Sequence, residues 1–337
     1  MVNQNIVPER PYVFNPFEIY KQKYIFRFIM LIPVISKLVS ESLLSLYPIF
    51  VKKIGISMPL QMLTRTVAYV VIAAIFVDWS FLKSAITSLD SLSLALTNLA
   101  HIFFSYEGFR HLESGVSFSI FNTYPIMIIF MEVLRTSSGS NGTLAGALTH
   151  ITKSDYAKYL LVLIGLAFFI YGNLTEENSE KSETIEINDG TEMNPNFVYG
   201  LAMILLAAFT EALIYFLVRR VKTDNHWNHV FISYFFGAIV MTAYVFYADE
   251  FSITKVAETL IQSRVIAATA LNGFIGSVGY FLRFYASYNL DASVFAVLSY
   301  FGIIMSYVYG IVFNNESLTL PKVLGTLSII GSQILFV

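Results

Sequence analysis

The sequence contains no cysteine. This absence excludes disulfides, thiolate nucleophiles and thiolate-bound metal sites, and it leaves the redox compartment undefined. Charged residues are also scarce, at 13% of 337 residues against 56% hydrophobic residues, whereas a soluble domain carries about 25% charged residues. Water is therefore not the main solvent of this protein.

An excess of positive charge is missing as well, since 21 Lys and Arg residues oppose 23 Asp and Glu residues. A nucleic-acid partner would require a basic stripe, so the composition argues against one. The first 25 residues mix charged and aromatic side chains and lack the basic start, apolar core and cleavage site of a signal peptide. Residues 1–25 are predicted to form an uncleaved cytoplasmic tail.

Long apolar runs are abundant. A helix needs about 20 mostly apolar residues to cross about 30 Å of hydrocarbon. Because a lipid-facing backbone must satisfy its own hydrogen bonds, such runs predict transmembrane helices and an all-α, polytopic membrane protein. Ten runs are predicted, and the third is the least hydrophobic; they lie near 26–48, 59–79, 89–109, 114–134, 156–173, 196–218, 228–248, 265–287, 292–313 and 319–337.

The polar segments between the runs indicate the topology. Lys and Arg are more frequent on the side that carries the N-terminus, which predicts that both termini are cytoplasmic. The acidic segment 174–195 is predicted to be an extramembrane linker between two five-helix repeats, 26–173 and 196–337. Because each half has an odd number of spans, the second half must enter the membrane from the opposite side, as in the inverted repeats of many secondary transporters.

Short hairpins connect the third run to the fourth and the eighth run to the ninth, and a shift of 177 positions superposes them. In both hairpins small residues precede an aromatic residue and then a Pro or a Gly. The superposed pairs are Gly115 and Ala292, Phe118 and Phe295, Tyr124 and Phe301, and Pro125 and Gly302.

Several motifs resemble those of the drug/metabolite transporter superfamily, in its EamA-like branch. These are Pro59 with Arg65 in the second run, Tyr124 with Pro125, and the segment Leu290–Thr319. That segment ends in a form of the family signature glycine-glutamate-x-leucine-threonine, with Asn315 at the glycine position. The first half departs from this signature, because it continues through Glu132 into the loop 135–154. The resemblance implies ten helices around a central cavity, with the fifth and tenth helices peripheral.

Ionisable residues inside the runs are the candidate functional residues, because an exposed charge within a span costs at least about 2.5–3.5 kcal/mol and such a residue therefore faces the bundle interior. They are Lys37, Glu41, Arg65, His101, Glu211 and Arg283. Polar residues at helical spacing and tyrosines that could line a cavity extend the candidate substrate or coupling residues by Tyr69, Asn122, Tyr215, Asn272, Tyr280 and Tyr300.

Depth along the helices predicts how the charges meet. Glu41 and Arg65 fall at the same depth and are predicted to pair, either structurally or around a substrate. Glu211 has no cation neighbour in its own helix, so it is the candidate for proton coupling. Arg283 could instead extend towards the cytoplasmic surface, and His101 could be a hydrogen-bonded polar residue.

No metal site or cofactor is predicted. Glu107 and His111 lie one helical turn apart near the end of the third run, but a third ligand is missing from the sequence nearby. A phosphate-binding loop is also missing, which argues against ATP hydrolysis by this chain.

The pattern therefore predicts a secondary carrier, either an exchanger or a proton-coupled transporter of a small organic metabolite. An intramembrane enzyme acting on a lipid-linked substrate is the alternative, and a receptor or assembly factor comes third. The mixed charges fit a zwitterion such as an amino acid, and equally a phosphorylated or sugar-nucleotide solute. Predicted partners are the solute and the bilayer, with homodimerisation through the peripheral helices as a further expectation.

Overall fold

The computed structural model describes residues 31–141, 153–183, 195–247 and 262–334, and every regular element within these ranges is a helix. The all-α prediction is confirmed. In chain order the helices are α1 (Leu31–Lys53), α2 (Met58–Ala74), α3 (Trp79–Ala85), α4 (Leu89–His111), α5 (Ser114–Phe121), α6 (Tyr124–Asn141), α7 (Lys153–Glu183), α8 (Pro195–Arg220), α9 (His226–Tyr247), α10 (Ser263–Asn289), α11 (Ala292–Asn314) and α12 (Leu320–Ile334).

Seven segments of the described chain are long and apolar enough to cross a membrane. They are α1, the pair α5–α6 from Ser114 to Glu132, and α7 to α11. Helices α2 and α12 are apolar but shorter, and α4 has 23 residues but carries more polar side chains. The chain is therefore a polytopic membrane protein, and the weak third run of the sequence corresponds to α4.

Two helices are interrupted at Tyr-Pro dipeptides. Helix α1 has a turn before Tyr47 and Pro48, and a turn separates α5 from α6 immediately before Tyr124 and Pro125. Proline has no backbone N–H and cannot bond to the carbonyl four residues earlier, which weakens a helix at that point. Both interruptions place a tyrosine in the bundle interior, since Tyr47 and Tyr124 are at most 4% exposed.

Helices α7 and α12 pack against each other through glycines. A side chain at Gly165 would collide with the backbone of Gly325 and with Ile329, so this close approach requires glycine. Only 22% of the apolar window of α7 is buried, against 78% for the span that begins at Ser114. The fifth run therefore lies at the periphery of the bundle.

Contacts between helix termini define the two ends of the bundle. At one end, Lys53 donates to the carbonyl of Phe313. At the other end, Asn225 donates to the carbonyl of Phe76 at 2.7 Å, and Arg219 donates to the carbonyl of Ser287 at 2.9 Å. Successive helices between these contacts run in alternating directions across the bundle.

Helix α7 continues to Glu183 and thus includes the first part of the segment predicted as a linker. Glu and Lys have favourable helix propensity and extend the apolar span without a need for burial. The predicted tail 1–25, residues 184–194 of the linker and residues 142–152 of the predicted loop lie outside the described residues.

Candidate functional site

Two acidic and two basic side chains form an ion-pair network inside the bundle. Lys37 and Glu41, one turn apart on α1, form an ion pair. Nη2 of Arg283 on α10 lies 3.4 Å from Oε1 of Glu41, and its Nε lies 3.0 Å from Oε1 of Glu211 on α8. The four side chains are at most 5% exposed. We call Lys37, Glu41, Glu211 and Arg283 the central network; its two positive and two negative charges balance.

Tyr124 links the two cations of the central network. Lys37 Nζ donates to its hydroxyl oxygen at 3.0 Å and Arg283 Nη2 donates to the same oxygen at 2.8 Å. The Tyr124 hydroxyl therefore has its proton available for Ser299, whose own hydroxyl donates to the carbonyl of Phe295. The Phe295 ring also covers Lys37, with Nζ 3.6 Å from the ring centroid. Helix α11 thus closes the network on one side.

His101 extends the network from Glu211 towards α4. Its Nδ1 lies 3.1 Å from the carbonyl oxygen of Ala207, which can only accept, so Nδ1 carries a hydrogen. Its Nε2 lies 3.4 Å from Oε2 of Glu211 and 3.2 Å from the Tyr280 hydroxyl. A neutral ring presents a lone pair to the carboxylate there, so a proton bound between His101 and Glu211 would strengthen their contact.

Arg65 lies in a cage of tyrosines. Its guanidinium carbon is 4.2–5.9 Å from five ring centroids, those of Tyr47, Tyr69, Tyr106, Tyr234 and Tyr280. Such cation–π contacts stabilise a desolvated cation. Nη2 donates to the Tyr234 hydroxyl at 3.4 Å, while Nε is buried without a hydrogen-bond acceptor. We call these five residues the tyrosine cage.

A glycine permits this cage. A side chain at Gly276 of α10 would collide with the hydroxyls of Tyr47 and Tyr69, which hydrogen-bond to each other. Gly276, Tyr280 and Arg283 lie on the same face of α10, as their spacing in the sequence predicts. One face of one helix therefore contributes to the tyrosine cage and to the central network.

Both arginines line a small cavity of about 10 Å³, which has room for about one water molecule. Arg65, Arg283, His101 and Ser105 form its polar wall, and Leu44, Phe109, Phe118 and Phe121 form its apolar wall. A cavity of this volume is too small for an organic solute in this conformation.

The structure brings most of the predicted residues together. Lys37, Glu41, His101, Glu211, Tyr280 and Arg283 are in mutual contact, and Arg65 and Tyr69 adjoin them through the tyrosine cage. Asn122 is buried at the interruption before α6, and the Tyr215 ring packs against Phe295. Asn272 and Tyr300 are buried. Within the described chain, neither Oδ1 of Asn272 nor the hydroxyl of Tyr300 has a hydrogen-bond partner.

The structure differs from one predicted pairing and from one alternative that the sequence left open. Glu41 pairs with Lys37 and Arg283, and Arg65 contacts tyrosines instead of Glu41. Arg283 does not extend to the surface, because it is 2% exposed and lies between two carboxylates. Glu211 has a cation neighbour, which a different helix supplies. The sequence indicates how deep a residue lies along its own helix. It does not indicate which side chains the neighbouring helices place beside that residue.

Sequence reasoning missed several tyrosines of the site. Tyr47 and Tyr124 each stand before a proline inside an apolar run, and this Tyr-Pro repetition was a usable signal. Tyr106 and Tyr234 carry no comparable signal, since most of the 21 tyrosines look alike in the sequence.

A second network lies at one end of the bundle, between α11 and α12. The carboxylate of Glu316 accepts from the backbone N–H of Ser114 at 2.8 Å and of Gly115 at 3.2 Å, at the start of α5. Asn314 donates to it, and Nζ of Lys52 on α1 lies 3.2 Å away. Burial raises the Glu316 pKa, but the Lys52 charge and these hydrogen bonds outweigh it and hold the pKa below its usual range. We call this the Glu316 network.

Glu107 contacts both Arg110 and His111 at the end of α4. Oε1 of Glu107 is 3.2 Å from Nη1 of Arg110, and His111 Nε2 is 3.6 Å from its Oε2. Within the described ranges, no three His, Asp or Glu residues are arranged to hold a metal ion.

Fold and site together define a polytopic membrane protein with a charge-balanced network in its interior. Residues 198–337 match the model of the EamA-like transporter family, which confirms the resemblance to the drug/metabolite transporter superfamily. This part of the chain is similar to a family of transporters. The match covers α8–α12, where the glycine-glutamate-x-leucine-threonine signature lies.

The fold has a counterpart among solved structures. One, described as "Crystal structure of protein", superposes with a TM-score of 0.52 over 89% of this chain and 94% of that chain, at 15% identity. This similarity shows a shared fold alone. No curated protein matches the sequence.

Proposed function

We propose that this protein is a secondary transporter that moves a small organic metabolite across a membrane by alternating access. The observation that carries the proposal is the central network, which joins Lys37 and Glu41 of the first half to Glu211 and Arg283 of the second. Buried ionisable groups are costly in a membrane and are retained where a solute or ion passes. A site shared between two halves opens alternately when the halves rock about it.

Ten spans in two inverted five-helix repeats are the proposed architecture. The first repeat comprises α1, α2, α4, the pair α5–α6, and α7, and the second comprises α8 to α12. The alternating helix directions support this arrangement, as does the family match over the second repeat alone. Both termini then lie on the same side, which the distribution of Lys and Arg assigns to the cytoplasm.

Glu211 and His101 are the proposed coupling groups. His101 and Glu211 lie close enough to bind one proton between them, and Glu211 also neutralises Arg283. A proton that binds to this pair weakens the ion pair between Glu211 and Arg283. The Arg283 guanidinium can then bind a solute. Deprotonation restores the ion pair and the central network. Exchange of two solutes at the same site would instead leave the proton in place.

Transport by purified protein in liposomes tests the proposal. We expect counterflow of an unchanged solute by the wild type. Glu211→Gln keeps the shape of the side chain but cannot bind a proton, so we expect at least a tenfold loss of uptake driven by a pH gradient, with counterflow retained. Glu107→Gln is the matched control, because this carboxylate lies at a helix end outside the central network, and we expect it to behave as the wild type.

The outcomes separate the alternatives. Chemical conversion of a lipid-linked substrate without counterflow would favour an intramembrane enzyme and overturn the transport proposal. Unaltered pH-driven uptake by Glu211→Gln would overturn the coupling role of Glu211 and leave transport itself standing.

A further inference from the structure

The buried charges of the protein interior are not fully balanced. Lys37 and Arg283 are neutralised by Glu41 and Glu211 within the central network. Arg65 is the exception. It is 2% exposed, and among the described residues no carboxylate lies within ion-pair distance of it. Among the described residues of the central network and the tyrosine cage, one more positive than negative charge is therefore buried, and an uncompensated buried charge is costly.

The tyrosine cage compensates Arg65 only in part. Phenol rings offer their negative faces to the guanidinium, but they carry no net charge. The Nε donor of Arg65 also remains without an acceptor. The cage positions Arg65 and leaves both its charge and one of its donors for another group.

The cavity lies where that group would bind. It borders Arg65 and Arg283, so a ligand between them would face two guanidinium groups. A guanidinium presents paired N–H donors in the geometry of a carboxylate. Three phenylalanines and Leu44 also line the cavity, and these apolar side chains suit a short hydrocarbon body.

From this geometry we infer that the transported solute is a small organic anion, whose single carboxylate binds between Arg65 and Arg283 and whose apolar body packs against Phe109, Phe118 and Phe121. This inference rests on the proposed transport function and names its substrate class. The bound carboxylate supplies the missing negative charge. The cavity holds about one water molecule, so the solute enters only when the halves separate.

Other solute charges fit less well. A zwitterionic amino acid adds no net charge, and its ammonium group would find Glu41 and Glu211 already paired with cations. A cationic solute would meet a tyrosine cage that Arg65 already occupies. The charge balance therefore favours the monocarboxylate over the amino acid with the same side chain.

Matched solutes test this choice in binding experiments on the detergent-purified full chain. 3-Phenylpropanoate, its primary amide and phenylalanine share one hydrocarbon body and differ in charge. We expect 3-phenylpropanoate to raise the thermal unfolding temperature and to bind at least tenfold more tightly than the amide or phenylalanine. 4-Methylpentanoate and leucine form a second pair that is judged by the same criterion. Equal binding of the carboxylate and its amide would overturn the inference.

Variants locate the binding. Arg65→Gln should weaken carboxylate binding at least tenfold, and Arg65→Lys, which keeps the charge but not the paired donors, should weaken it less. Arg220→Gln is the control, since this arginine is largely exposed and pairs loosely with Asp90. If Arg65→Gln did not fold, the comparison of Arg65→Lys with the wild type would still decide, because equal affinity would contradict the paired-donor site.

Transport in liposomes distinguishes failure of this inference from failure of the proposed function. Counterflow of amino acids or amides without carboxylate binding would overturn the inference and leave the transport proposal standing. Carboxylate binding that depends on Arg65 but drives no counterflow would overturn the transport proposal, while the anion site remained. Counterflow of the monocarboxylate that Arg65→Gln abolishes would support both.

Discussion

The central network and the Glu316 network both depend on carboxylates, but their surroundings differ. Glu41 is fully buried among charged partners in the bundle interior. Glu316 lies between two helices at one end of the bundle, keeps 10% of its side chain exposed, and accepts mainly from backbone N–H groups. Glu41 therefore depends on other charges for its stability, whereas Glu316 acts as a cap for a helix N-terminus.

The largest expected effect comes from breaking the central network. Lys37→Met leaves Glu41 buried with Arg283 alone, and removal of one partner from a buried ion pair costs about 3–5 kcal/mol. We expect a loss of this size in the free energy of unfolding, measured by circular dichroism in mixed detergent micelles.

A second substitution distinguishes the effect of the lost charge on stability from the effect of lost packing. Lys37→Met combined with Glu41→Gln removes both charges, and we expect it to be more stable than Lys37→Met alone. Lys83→Met on the exposed side of α3 is the control and should change stability by less than about 0.5 kcal/mol. A Lys37→Met protein as stable as this control would show that the central network contributes no stability.

A smaller effect is expected at the Glu316 network. Glu316→Gln weakens the cap on α5 and its ion pair, for a loss of about 0.5–2 kcal/mol. Since the folded-state pKa of Glu316 is lowered, its contribution is present above the ordinary Glu value of about 4.3 and is lost as the pH falls through the folded value. Unfolding followed from pH 7 down to pH 3 should therefore show a smaller acid-induced loss for Glu316→Gln than for the wild type.

Lys52→Gln tests whether the stability contributed by Glu316 comes from its ion pair or from its helix cap. The pair between Lys52 and Glu316 is partly exposed, and such pairs contribute about 0–1 kcal/mol. We expect Lys52→Gln to cost less than Glu316→Gln. The reverse order would mean that the ion pair, and not the helix cap, stabilises this network.

The smallest expected effect concerns Asn315, which ends α11 in the left-handed conformation with φ of 55°. Glycine adopts this conformation without the cost of about 1–2 kcal/mol that most residues incur, and asparagine tolerates it better than most. We expect Asn315→Gly to stabilise the protein by up to about 1 kcal/mol and Asn315→Ala to destabilise it by about the same amount. Equal stabilities would contradict this explanation for the asparagine at the family's glycine position.

Much of the fold could be predicted from the sequence because membrane helices follow from local composition. The ten apolar runs correspond to described helices, and the polar third run is α4. Helix interruptions were harder to predict, since Pro48 and Pro125 could equally have started or ended a span. The identity of the charged residues in the site also followed from the sequence, because any ionisable residue in an apolar run must face the interior.

Pairings within the site could not be predicted in the same way. Glu211 and Arg283 are 72 positions apart on different helices, and their contact depends on how α8 and α10 rotate about their axes. Arg65 and Glu41 share a depth, yet helix rotation directs Arg65 towards tyrosines. Lateral placement depends on the packing of the whole bundle, which glycines such as Gly276 permit and composition alone does not reveal.

The two Tyr-Pro interruptions connect the Glu316 network to the interior of the bundle. Tyr47–Lys53 and α5 are both short half-helices, each with one terminus at Glu316 and the other at a proline-weakened joint. Tyr47 and Tyr124, the residues at these joints, contact Arg65 and Arg283 respectively. The carboxylate of Glu316 thus contacts both half-helices, whose other ends border the two arginines.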